Sequence, residues 1–306
     1  VLGIVLMLFV AGMDYHIWQR LAVFGYLAAV ALSVAVMLFG REINGSKRWL
    51  ALGPFSFQPS EFAKVALILF LADLVTKNVK TIGKMWTLCR IMFWILPIVG
   101  LVGASNLSTA IIILGIGVIL IFVASPKYAQ FALMGLAGAC FMGIFLALES
   151  YRLERLAIWR NPEKYEKGYQ TLQGLYAIGS GGVFGVGLGN SVQKLGFVPE
   201  AQNDMIFSII CEELGLAGAG IIVFLFLLLI WRFFMIASGS RDLFGALIAT
   251  GAMAHMMIQV VLNIAVVTNT IPNTGITLPF ISYGGTSVMF LLIEMGLVLS
   301  VSQVVD

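Results

Sequence analysis

Long apolar runs broken by short polar interruptions make up most of the chain. Leu21–Phe39 and Leu107–Ala124 carry no charged residue and are long enough to cross ~30 Å of hydrocarbon. The pattern predicts nine membrane segments. Val1–Met13 is apolar but too short to span, and is read as the tail of a helix that begins upstream, with a further span before it. The others are Leu21–Phe39, Glu61–Val75, two short spans within Ile91–Ala124 hinged at Ser105 and Asn106, Ala129–Leu148, Asp204–Trp231, Leu243–Thr268 and Tyr283–Val301. Between them lie a polar turn (Asp14–Arg20), a loop (Gly40–Ser60) whose last residue can cap the next helix, and a basic loop with Lys77, Lys80, Lys84 and Arg90. A large loop follows at 149–203 and a Pro/Gly-rich one at 269–282. The strand alternation of an outer-membrane barrel is absent. The expectation is an all-α polytopic membrane protein in which residues 1–306 form one integral membrane domain.

Composition sharpens this. Sixty per cent hydrophobic residues, 11% charged residues and a mean hydropathy of +1.01 exclude an ordinary soluble globule. The net charge of +3 matters less than its distribution. Arg20, the four basic residues at 77–90, Lys127, Arg232 and Arg241 fall on one side; Arg41, Lys47 and Arg48 fall on the other. The first side is therefore cytoplasmic, and the loops holding Arg48, 149–203 and 269–282 face outward. Cys89, Cys140 and Cys211 form no CxxC pair, which argues against a disulfide framework or a zinc site. His16 and His255 sit in different segments. Membrane lipids are expected partners and nucleic acid is not.

The polar residues concentrate between Gly168 and Gly215, where Asp204, Glu212 and Glu213 lead into an apolar segment. An aspartate there can cap a helix; it can equally act as a general base whose pKa rises on partial desolvation. Glu212 and Glu213 lie deeper, and a structural role is favoured for both; on a helix, Asp204 and Glu212 would share a face. Glu61 and Lys64, at i and i+3, form either an interfacial ion pair or an anion site in which the glutamate orients the lysine. Arg48, beside Trp49, is either a solvated loop arginine or a phosphate ligand. His255, Gln259 and Asn263 make a polar stripe that bonding between helices explains. Glu294 is a costly intramembrane charge with no assignable partner. The glycines at 179–189 do not fit a nucleotide-binding spacing.

Several separate motifs then carry a resemblance: NGSKRW at 44–49, FSFQPSEFAK at 55–64, NLSTA at 106–110, GYQTLQGLYAIGSGG at 168–182, PEAQNDMIFSIICEELG at 199–215 and PNTGITLPFISYGGTS at 272–287. The chain resembles, over nearly its whole length, the SEDS family of cell-wall polymerases (RodA, FtsW and SpoVE), nearest to the FtsW/SpoVE branch. The resemblance implies a SEDS-type helical bundle, usually of ten spans, with a large extracellular loop. It implies a peptidoglycan glycosyltransferase that polymerises lipid II, an undecaprenyl-diphosphate-linked disaccharide peptide, on the outer face of the bacterial cytoplasmic membrane. A class B penicillin-binding protein is the implied partner. The essential aspartate of the family falls on Asp204, although Asn203 and Met205 depart from the usual motif. The substrate-binding candidates are Arg48, Trp49, Glu61, Lys64, Gln170, Gln193 and Ser282. Asp204 would deprotonate the acceptor hydroxyl, and the departing diphosphate would be stabilised by Arg48, Lys64 and a divalent cation, Mg or Mn, of unknown ligands. No organic cofactor is expected. Two other readings stay open, a lipid II flippase and a non-catalytic scaffold for a transpeptidase.

Overall fold

A chain that must satisfy its backbone without water in hydrocarbon does so as helix, and helices account for most of this protein. The structure is a computed structural model describing residues 1–43, 46–52, 55–125, 127, 129–132, 135 and 156–305. The principal elements are α1 (Leu2–Ala11), α2 (Tyr15–Phe39), three short strands β1 (Arg41–Ile43), β2 (Ser46–Leu52) and β3 (Phe55–Phe57), then α3 (Pro59–Asn78), α4 (Met85–Ser105), α5 (Leu107–Ala124), α6 (Tyr169–Gly181), α7 (Ile206–Gly239), α8 (Leu243–Val267) and α9 (Gly285–Ser302). Six described helices are long and apolar enough to cross a membrane: α2, α4, α5, α7, α8 and α9. The expected span 129–148 and residues 149–155 of the expected large loop fall mostly or wholly outside the described residues.

The helix boundaries differ from the hydropathy reading in instructive ways. The polar turn Asp14–Arg20 is instead the start of α2, with the Asp14 carboxylate accepting the His16 N–H at 2.9 Å. Ser60 does not cap α3: Gln58 holds that position and Pro59 occupies the first helical turn, where its missing N–H costs nothing. Arg90 belongs to α4, which begins at Met85. That earlier start resolves the awkward length of the 91–124 stretch: α4 and α5 have 21 and 18 residues and meet at Asn106. The Asn106 side chain accepts the Thr109 N–H at 3.2 Å, so the polar break is a helix cap. Gly40–Ser60, expected as loop, contains an antiparallel meander in the order β1-β2-β3.

By contacts the chain forms two compact units, Val1–Tyr128 with Ile230–Ile258 and Gly284–Asp306, and Ala129–Leu229 with Gln259–Tyr283. In the first, α3 is the central element: it packs against α2, α4, α5 and α9, and Ala63, Leu67, Leu71, Ala72 and Val75 are fully enclosed. A helix that is apolar on every side must be wrapped by others. Where α2, α3 and α4 meet, Tyr26 stacks on Phe70 and Trp94 meets both edge-on, and the Tyr26 hydroxyl donates to the Trp94 carbonyl at 2.7 Å. At the Asp14 end of this unit, Asp242 accepts from the Tyr15 hydroxyl (2.5 Å) and the Gly245 N–H (2.7 Å), tying the start of α2 to that of α8.

The second unit is organised around a break in α7. Gly215 has φ 65° and ψ −169°, conformations open only to glycine. The N–H groups freed there turn to the glycine-rich loop after α6: Leu216 donates to the Gly182 carbonyl at 2.9 Å and Ala217 to that of Val183 at 3.0 Å. In return, Val186 and Gly187 donate to the carbonyls of Glu212 and Glu213 at 2.9 and 3.0 Å.

Candidate active site

In the second unit, Asp204 precedes α7 rather than lying on it, so the expected helical face shared with Glu212 does not exist. No described bond runs from a first-turn N–H to its carboxylate, which excludes the cap as its main role. The residue is 7% exposed. Among the described residues its one side-chain donor is the Gln170 amide, 3.4 Å from Oδ1 and 3.5 Å from Oδ2, at the weak end of hydrogen bonding. A carboxylate that is desolvated and thinly bonded favours its protonated form. Burial pushes the Asp204 pKa up to about 6, with the Glu200 charge adding to the rise and the Asp204 backbone N–H and Gln170 opposing it.

The backbone around Asp204 is held from α8 and from the segment after it. Asn263 Nδ2 donates to the carbonyls of Asp204 (2.8 Å) and Ile276 (2.7 Å). Ser282 Oγ donates to the Asn203 carbonyl at 2.6 Å and accepts the Leu278 N–H at 2.7 Å, and the Tyr283 N–H reaches the Gln202 carbonyl at 2.8 Å. Gln259 Nε2 donates to the Thr277 carbonyl at 3.1 Å. The Gln259–Asn263 stripe therefore fastens a loop backbone, where bonding between helices was the favoured reading. Gly275, with φ +66°, brings the loop so close that a Cβ there would lie 3.8 Å from Asp204 Oδ2.

Of the sequence candidates in this unit, Gln170 meets Asp204 and Ser282 fixes its neighbour. Gln193 lies in a 3-10 turn, its Oε1 buried without a partner, and no described bond joins it to Asp204. Glu212 accepts from Ser191 Oγ and from the Val192 N–H (3.2 Å), while Glu213 pairs with Lys194 at 2.6 Å. Both glutamates clamp the glycine-rich loop. Asn263 and Gly275 were missed as neighbours of Asp204. The signal for the first was an asparagine in an apolar helix; for the second there was none, because a contact across 71 residues leaves no trace in spacing.

In the first unit, the Lys64 ammonium lies 3.0 Å from Glu61 Oε1, both side chains nearly inaccessible. Ser287 of α9 and His255 of α8 also act on the Glu61 carboxylate. His255 Nδ1 is 2.7 Å from Glu294 Oε2, which supplies the partner that sequence did not. Glu61, Lys64, His255 and Glu294 thus tie α3, α8 and α9 together through buried polar groups. Arg48 Nε donates to the Ser105 carbonyl at 3.1 Å, satisfying an end of α4 next to a small cavity lined by Ser33, Arg48, Ser60, Ser105 and Asn106 among others. Trp49 is half-buried.

A profile of the cell cycle proteins FtsW, RodA and SpoVE matches residues 1–306. The chain belongs to this family. Stage V sporulation protein E of Bacillus subtilis is 40% identical, with 99% of this chain and 84% of that protein aligned. A probable peptidoglycan glycosyltransferase FtsW of Coxiella burnetii is 36% identical over 98% of this chain and 83% of its own length. Among solved structures, a chain from a study of a peptidoglycan synthase complex that coordinates polymerization and crosslinking superposes with a TM-score of 0.86 and 30% identity, covering 99% of this chain and 86% of that one. Thermus thermophilus rod shape determining protein RodA superposes with a TM-score of 0.72 and 29% identity, covering 99% and 84%. The SEDS fold expected from the motifs is the fold found, and the chain is a multi-pass membrane protein.

Proposed function

We propose that this SEDS protein is a peptidoglycan glycosyltransferase that polymerises lipid II on the outer face of the cytoplasmic membrane, with Asp204 as the general base. The observation that carries the reading is the Asp204 carboxylate itself, buried and thinly bonded; burial pushes its pKa up to about 6, where a base is effective at neutral pH. Asp204 accepts the proton of the acceptor 4-hydroxyl as its oxygen bonds to the anomeric carbon of the donor. The bond from that carbon to the diphosphate breaks, and undecaprenyl diphosphate leaves with the electron pair. Gln170 orients the carboxylate, and Asn263 and Ser282 hold its backbone. For the leaving group we assign Arg48 and Lys64, on the chemistry of their side chains, with Glu61 orienting Lys64; Trp49 and Gln193 complete the proposed substrate contacts. Among the described residues no three His, Cys, Asp or Glu side chains converge; a divalent cation, Mg or Mn, would add positive charge at the leaving diphosphate.

Depth supports the outward site. Leu214–Trp231 is free of charge and, at 1.5 Å per residue, spans about 27 Å, the thickness of the hydrocarbon. Asp204 comes before this run and before the Gly215 break, a position that fits the level of lipid headgroups and the sugars they carry. The relatives named for sporulation and for glycosyl transfer, and the synthase complex that couples polymerization to crosslinking, support a class B penicillin-binding protein as partner.

The test is glycan formation from purified lipid II by the full-length protein in detergent, with and without that partner. Asp204→Asn is expected to lower the rate by about 10²–10⁴-fold, the usual worth of a positioned base, while the protein still folds. Retained polymerisation by the variant would sink the assignment. An active flippase with no detergent-phase polymerisation would favour transport instead.

A further inference from the structure

Residues 169–193 contain no charged side chain, yet they do not form a spanning helix. α6 ends after 13 residues, and the chain folds back against α7 at the Gly215 break. The loop that follows is patterned the opposite way from a soluble one. Two of its polar groups turn inward, while Asn190 stays exposed: Ser191 is buried and bonded to Glu212, and Lys194 is paired with Glu213 at 2.6 Å. Its apolar groups turn outward: Phe184, Leu188 and Leu195 are 83%, 76% and 75% exposed, and Val183, Val192 and Phe197 join them. So many exposed apolar side chains in one loop mark a membrane or protein contact.

Two facts choose between those. Part of the loop backbone is satisfied internally, by the four bonds to α7 and by those from Ser191, Val192 and Lys194, which lowers the cost of leaving water. The loop also adjoins exposed apolar residues of α7, a helix long and apolar enough to cross a membrane. Leu216, the first residue past the break, is exposed, as are Ile221 and Phe224 farther along the same helix. The break stands at the outer end of the uncharged run 214–231, hence at the outer edge of the hydrocarbon.

We propose that Val183–Phe197 is a membrane-inserted loop whose apolar side chains lie among the acyl chains of the outer leaflet. This inference rests on exposure, bonding and depth, and stands whether or not Asp204 is the base. The experiment places a nitroxide at Phe184→Cys, Leu188→Cys and Leu195→Cys, one at a time, in full-length protein carrying Cys89→Ser, Cys140→Ser and Cys211→Ala. The protein is reconstituted in nanodiscs of phosphatidylethanolamine and phosphatidylglycerol, and collision with oxygen and with a water-soluble nickel chelate is read by power saturation. Ile221→Cys serves as the lipid-facing reference and Glu163→Cys, on an exposed turn, as the aqueous one. Labels at 184, 188 and 195 should match the Ile221 site, with oxygen collisions several-fold above those of the chelate. Chelate access equal to that at Glu163 overturns the proposal. So does exclusion of both reagents, which would mean that another protein or a second copy covers the loop.

Discussion

Asp204 illustrates how a single residue acquires its chemistry from what surrounds it. A raised carboxyl pKa means that the folded protein prefers the protonated form, so activity that needs the carboxylate must fall as pH drops through about 6. The acid limb of kcat/KM for lipid II polymerisation should therefore lie there. Glu200→Gln removes a negative neighbour and should move that limb to lower pH; Gln170→Leu removes a donor that favours the ion and should move it higher. Stability runs the other way. The cost of ionising Asp204 is absent below the unfolded pKa near 4 and fully present above 6. Asp204→Asn should thus be more stable than wild type at pH 8, by on the order of 1–3 kcal/mol in denaturant unfolding, with the difference vanishing below pH 4. A variant that loses activity while gaining stability identifies a site kept for function. Asn263→Ala should behave in the opposite manner, since it leaves two buried carbonyls short of a donor at a cost of about 1–3 kcal/mol.

At the scale of elements, α7 shows why hydropathy alone misplaces a functional segment. Its apolar run reads as one helix from Asp204, but the helix begins at Ile206 and is interrupted at Gly215. The interruption hands the backbone over to the glycine-rich loop, and a Cβ at Gly215 would land on the backbone of Val183 and Gly185. Gly215→Ala should cost about 1–3 kcal/mol for the backbone conformation alone and speed hydrogen exchange at Val186, Gly187 and Leu216. Gly220→Ala, in a helical position with open space around it, should leave those amides unchanged. The meander β1–β3 shows a related limit. Thr286 Oγ1 donates to the Ser56 carbonyl at 2.9 Å, and Phe57 meets Phe290 edge-on, so α9 supports strands that lie more than two hundred residues earlier.

At the scale of the molecule, the buried ionisable groups of the first unit decide how it can be changed. Glu61→Ala leaves the Lys64 ammonium enclosed without its carboxylate, and the loss should approach about 3–5 kcal/mol. For His255 and Glu294, replacing both by apolar residues should cost less than the sum of the single replacements, because each single change already removes their 2.7 Å contact. A double-mutant cycle on thermal melts in detergent measures the difference. If the two substitutions simply add, the 2.7 Å contact contributes nothing to the fold.

The sequence by itself determined the membrane class, most helices and, through its motifs, the family. Those properties depend on local composition, which a bilayer reads segment by segment. The polar anomalies were legible too: Asp204, Glu61 with Lys64, and Glu294 each stood out because charge is costly in apolar surroundings. What they touch was not legible. That Gln170 faces Asp204, that Asn263 bridges its carbonyl to Ile276, that His255 answers Glu294 and that Gly215 yields its helix to a loop are contacts between distant parts of the chain. Only tertiary packing decided them, because a hydrogen bond is satisfied by whichever partner the fold brings within about 3 Å, and spacing along the sequence carries no record of that choice.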